Sequence, residues 1–255
     1  MAVITLCSAS GSPGVTTTAL GLALLWPRPV LLVDADPTGG SGILAGFYQG
    51  MQQYEVGTVE LARSPLDLSD SLRGVVRPID GTNVSYVAGT SAHQQATGLG
   101  DLWGRLSPTL DELESTGQDV IVDAGRLGLP GWPQAMVALA DLTLLVVRSH
   151  LPSMAGSRSW ATALRKEAAP WRQPGFLVIG AGKPYSTAEV SKVLGLRVVA
   201  KVADDAEAAA VYHRGETAPR RFESGRYVRS LHAAAEAIGA TVSRRRAALV
   251  EESPL

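Results

Sequence analysis

Val3-Ile4-Thr5-Leu6-Cys7-Ser8-Ala9-Ser10-Gly11-Ser12-Pro13-Gly14-Val15-Thr16-Thr17-Thr18 decides how the rest of the chain is read. Val3 to Cys7 is a β-branched apolar run of strand length. Ser8 to Gly14 is a turn cluster, and Thr16 to Leu25 reads as a helix stopped by Trp26-Pro27-Arg28-Pro29. A strand, a Gly-rich turn and a helix in that order begin a βαβ unit.

The alternation continues. Val30–Asp34 is the next strand, and further strands are expected at Val84–Val87, Val120–Asp123, Leu142–Val147, Phe176–Ile179 and Arg197–Val202. Helical patterns lie between or after them at Leu99–Ser115, Gly131–Ala140, Ser153–Ala168, Thr187–Leu194 and Tyr227–Gly239, with a short helix at Asp67–Arg73. Strands apolar on both faces, separated by helices, predict an α/β fold: a doubly wound, mainly parallel sheet with helices on both faces. No repeat or Pro/Gly-rich linker divides the chain, so residues 1–242 read as one domain, and the stretch 243–255, opening on Ser243-Arg244-Arg245-Arg246, reads as a frayed, disordered tail.

Composition excludes several classes. Of the 255 residues, 45% are hydrophobic and 18% charged, which supports a sizeable core and excludes disorder over most of the chain. A formal charge of −1 gives no overall basic field, so DNA is not expected as a partner. A lone cysteine, Cys7, excludes an internal disulfide, and it reads as a small core residue. His93, His150, His213 and His232 lack metal spacing. No apolar stretch approaches the roughly 20 residues of a membrane span, and no signal peptide is visible; a cytoplasmic protein is expected.

In an open parallel sheet, ligands bind beyond the C-terminal ends of the strands. Three segments fall there: Gly11–Thr18, then Asp34-Ala35-Asp36-Pro37-Thr38-Gly39-Gly40, then Asp123-Ala124-Gly125. Together they resemble the MinD/ParA group of P-loop ATPases, and within it the divergent CpaE/TadZ-like branch. That group carries K-G-G-x-G-K-[ST]-[ST] after strand one, D-x-D-P after strand two and an Asp ending a later strand. Val202-Ala203-Asp204-Asp205 to Arg214-Gly215-Glu216 resembles its late P-D-D…G-x-P stretch. The resemblance covers about residues 1–240 and implies a three-layer P-loop fold. It assigns Gly11, Ser12, Gly14, Val15, Thr16 and Thr17 to a phosphate cradle, Thr16, Asp34 and Asp123 to Mg²⁺, and Asp36 to a vestigial catalytic role.

Two lysines of that pattern are missing. Val15 stands where the phosphate-binding lysine belongs and Ser10 where the signature lysine belongs; no lysine precedes Lys166. Losing one partner of a buried charge pair costs about 2–5 kcal/mol, and phosphoryl transfer depends on electrostatic stabilisation. The Asn that reads adenine in the group has no counterpart in Ile179-Gly180-Ala181-Gly182-Lys183-Pro184. The cofactor therefore stays open: the resemblance implies ATP and Mg²⁺, and the missing groups imply weak binding at most.

Arg126 and Arg148 follow strand ends, where they either restore the cation or pair with Asp34, Asp36 or Asp123 or face solvent. The preferred expectation is a non-catalytic or very weak localisation or assembly factor for pilus or secretion machinery, recruited to a membrane-associated complex. Its partners would be proteins, with any homodimer independent of nucleotide. The alternative is a working positioning or partitioning ATPase that uses Arg126 or Arg148. The Arg-rich stretch from Arg214 to Arg229 reads as a solvated helix face, or else as a docking or nucleic-acid patch.

Overall fold

A computed structural model describes residues 2–113, 117–166 and 174–251. The elements run β1 (Val3–Ser8), α1 (Val15–Leu24), β2 (Val30–Asp34), α2 (Thr58–Arg63), α3 (Leu68–Val75), β3 (Arg77–Pro78), β4 (Val84–Val87), α4 (His93–Ala96), α5 (Gly100–Glu112) and β5 (Asp119–Arg126). They continue with α6 (Gln134–Leu139), β6 (Leu142–Arg148), α7 (Leu151–Lys166), β7 (Pro174–Ile179), α8 (Thr187–Leu194), β8 (Val198–Val202), α9 (Ala206–His213) and α10 (Arg226–Glu251). A π-helical turn, Ile43–Phe47, follows β2.

The eight strands form one sheet in the order β3-β4-β2-β5-β1-β6-β7-β8, parallel throughout except for the β3–β4 pair. Alternation along each strand splits its side chains between two cores. Ile4 and Leu6 of β1, Leu32 of β2 and Leu144 of β6 face the layer built by α1, α9 and α10. Val3 and Cys7, Leu31 and Val33, and Leu145 and Val147 face the layer of α2, α3 and α5 to α8. The expected three-layer α/β/α sheet is present, with β1 in its interior.

The expected strands lie within three residues of those observed. Sequence reading missed the two-residue β3 and the short α2, α4 and α9, which span too few turns for an apolar period to show. The tail expectation is corrected over residues 243–251, where α10 continues as helix to Glu251. The arginine run that suggested a solvated end is in part anchored: Arg245 Nη1 donates to the Asp141 carbonyl at 3.0 Å and Arg246 Nη2 to Asp141 Oδ2 at 3.0 Å. Residues 252–255 lie outside the described residues, as do Pro170 and Trp171, which the sequence assigned to packing and turns.

Asp119 joins the bases of three elements. It is 3% exposed, and its carboxylate accepts the Ala2 N–H at 2.7 Å and the Trp26 Nε1–H at 2.9 Å, with Arg28 at 3.7 Å. Removing a buried acceptor leaves its donors unsatisfied. Asp119→Ala is expected to cost about 3 kcal/mol, read as a lower urea midpoint with unchanged slope.

Candidate functional site

β1 ends at Ser8, and the turn that follows delivers the backbone into α1 through Gly14, whose φ of 104° is open to glycine and strained for other residues. No side chain caps α1, and its first intrahelical donor is Thr18 N–H, bonded to Gly14 O at 2.9 Å. The N–H groups of Val15, Thr16 and Thr17 have no acceptor among the described residues. They stand at the head of a helix dipole beside a cleft of about 770 Å³.

Gly11, Ser12, Gly14, Val15, Thr16 and Thr17 all line this cleft, with Asp36 and Arg126 on one side and Arg148, Asp204 and Asp205 on another. Every residue assigned to the cradle is thus brought together. Val15 is more than a vacant position: it is 7% exposed and packs into the core beneath α1. Ser10 turns inward against α7, where a Cβ on Gly156 would come within 2.1 Å of the Ser10 hydroxyl. Neither residue offers a cation to the cleft.

Asp34 and Asp123 sit side by side at the ends of β2 and β5, directly paired in register and 2% and 1% exposed. Neither lines the cleft itself, whereas Asp36 and Gly125 do. Asp123 Oδ1 accepts the Gly125 N–H at 3.0 Å and Asp34 Oδ1 the Asp36 N–H at 3.4 Å, while the Oδ2 of each has no partner among the described residues. Burial pushes Asp123 up to about 8, helped by the neighbouring Asp34 charge and opposed by the Thr16 hydroxyl. Burial likewise raises Asp34 to about 6, with the Ser41 hydroxyl opposing it. Asp36 is half-buried and orders its own loop, accepting the Thr38 N–H at 2.9 Å and hydroxyl at 2.8 Å. Gly125 makes room for it: a Cβ there would lie 2.2 Å from Asp36 Cγ.

The two orphaned carboxylate oxygens and the Thr16 hydroxyl are hard oxygen donors that fit Mg²⁺. Among the described residues no group of three or more His, Cys, Asp or Glu could hold a metal ion. A magnesium ion here would need water or phosphate oxygens to complete its shell.

The two arginines separate in role. Arg148 is engaged, its Nη1 2.9 Å from Asp204 Oδ1 across the end of β7, and Lys183 Nζ donates to the Asp204 carbonyl at 3.1 Å. Arg126 is exposed on the cleft wall, with no ion-pair or hydrogen-bond partner among the described residues. Neither pairs with Asp34, Asp36 or Asp123. Sequence reading missed the Arg148–Asp204 bridge, which joins residues 56 positions apart and carries no local signal. It also missed His213 and Tyr227, brought to the cleft by α9 and α10.

No protein-family model and no curated protein matches the chain. Solved structures do, and they define the fold as that of the MinD/ParA P-loop ATPases. The septum site-determining protein MinD of Pyrococcus horikoshii, complexed with Mg-ADP, superimposes with a TM-score of 0.71 at 16% identity, over 93% of this chain and 95% of that one. A ParA family ATPase from Chlorobium tepidum gives 0.72 at 14% identity, over 92% and 97%. MinD in the MinC:MinD cell division complex of Aquifex aeolicus gives 0.71 at 16%, over 94% and 96%.

The buried acids set a pH dependence. Both have folded-state pKa values above the ordinary carboxylate range, so the stability they allow is full below about pH 4. It is lost as pH rises through about 6 and then about 8. Asp123→Asn is therefore expected to raise the denaturation midpoint at pH 8.5 and leave it nearly unchanged at pH 4.5. Urea titrations at the two pH values, without divalent cations, measure the difference.

Proposed function

We propose that this protein is a MinD/ParA-like localisation or assembly factor whose nucleotide chemistry is absent or very weak. The observation that carries the reading is Val15: at the lysine position of the cradle, an apolar side chain is packed into the core. The free N–H groups of the first turn of α1 and the Thr16 hydroxyl would still receive an anion. Three carboxylates nearby, Asp34, Asp36 and Asp123, oppose it, and Arg148 is occupied by Asp204.

What such a cradle does is limited by charge. Backbone dipoles can orient phosphate oxygens, but transfer of a phosphoryl group needs a cation matched to the charge that develops. Mg²⁺ held through Asp34, Asp123 and Thr16 would supply part of that charge when bound. In this reading Asp36, fixed by Thr38 and seated against Gly125, would orient a water beside the phosphates as its vestigial role. The solved neighbours include MinD with Mg-ADP and MinD with MinC. By analogy, the conserved part of the behaviour here would be partner binding, with CpaE/TadZ-like pilus or secretion assembly as its setting. Ser10, turned into α7, cannot reach a nucleotide held by a second copy, so self-association would not respond to ATP.

A second reading, a working ATPase, rests on Arg126, the unpaired cation of the cleft wall. The two are separated by calorimetry with Mg-ATP and by turnover. We expect turnover at background and no tight binding in the natural protein, with Val15→Lys raising nucleotide affinity at least about tenfold. Robust turnover abolished by Arg126→Ala would replace the first reading with the second. Light scattering is expected to give the same molar mass with and without Mg-ATP.

A further inference from the structure

At the β8 edge the two helical layers extend beyond the sheet. α8 comes from one face and α10 from the other, and between them lies a groove of about 480 Å³ whose floor is β8. Its walls are short: Ala188 and Ser191 on one side, Ala233, Ala234 and Ala237 on the other. The groove is the position a next strand would take, already roofed on both faces.

The backbone along that floor is unspent. Phe176 N–H donates to Arg197 O and Gly180 N–H to Val202 O, each at 2.9 Å, which fixes the groups of β8 that face β7. Alternation then turns outward the N–H and C=O of Val198, before the bulge, and of Lys201, after it. The following outward donor, Ala203 N–H, is taken by Ser230 Oγ of α10 at 2.9 Å. The outward groups of Val198 and Lys201 have no such partner among the described residues.

Charge selects the occupant. Among the described residues, the charged ones lining the groove are Arg197 and Lys201, both cationic and both exposed, and none of the lining residues is acidic. A lysine on a free edge repels apolar or basic strands, and a carboxylate turns the same residue into a contact. A second copy laid antiparallel on this edge would set its own Arg197 and Lys201 against these, which like charges disfavour.

We propose that the β8 edge binds an extended acidic segment of a partner protein as a ninth strand, with main-chain bonds to Val198 and Lys201 and a carboxylate toward Lys201. This surface is separate from the cleft and needs no nucleotide. The probe is a fluorescein-labelled six-residue peptide alternating Glu with Val, followed by anisotropy on the full chain. Expected results are saturable binding, at least a tenfold loss with Lys201→Glu, and no binding of the peptide N-methylated at alternate residues or carrying Lys for Glu. Val15→Lys is expected to leave the affinity unchanged, so the outcome is independent of the cleft.

The proposal is overturned if the acidic peptide fails to bind by about 1 mM, or if the N-methylated peptide binds equally well. Lys201→Glu without effect would also overturn it. Displacement of the peptide by a single-stranded oligonucleotide would assign the groove to nucleic acid instead. A doubled mass of the protein alone, reversed by Lys201→Glu, would assign it to a second copy.

Discussion

A parallel sheet cannot be left half covered. Each strand returns to the same end of the sheet only after crossing a face, and both faces must bury apolar side chains. In this protein that requirement organises everything else. The crossovers supply the two helical layers, and the ends of β1, β2, β5 and β6 converge on one edge, carrying the Gly11–Gly14 turn, Asp34, Asp123 and Arg148 with them. The cleft is a product of the winding before it is a product of any one residue.

What occupies that edge is electrostatically lopsided. Two carboxylates lie buried side by side, with their outer oxygens unpaired, and Arg126 stands exposed on the cleft wall. Such a site holds its acids only by keeping protons on them or by taking up a cation. Val15, where the resembling pattern carries a lysine, is tied into the core beneath α1.

Much of this was legible in the residues. The β-branched run at Val3–Cys7, the turn through Gly14 and the acids closing Val30–Asp34 and Val120–Asp123 gave strand positions and sheet edge, because burial on both faces forces continuous apolar runs. The cradle residues could be named because they are adjacent in the chain. The Arg148–Asp204 bridge, the inward turn of Ser10 and the closeness of Gly125 to Asp36 could not be read, since each depends on how separate crossovers meet. The arginines at 244–246 misled for a related reason: a charge run resembles a solvated end unless the carboxylate that receives it, Asp141, is known to lie beside it.

Asp141 has a wider reach than an ion pair. Its Oδ2 accepts the Val3 N–H at 2.9 Å as well as Arg246 Nη2, and its own N–H donates to Val3 O at 2.8 Å. The start of β1 and the last turns of α10 are therefore fastened at one residue, although more than two hundred positions of chain separate them. Contacts of such long sequence separation form late, after most loops have closed. During synthesis, the strand that aims the Gly11–Gly14 turn stays without its final clasp until α10 has emerged. The cleft is completed by the part of the described chain that is made last.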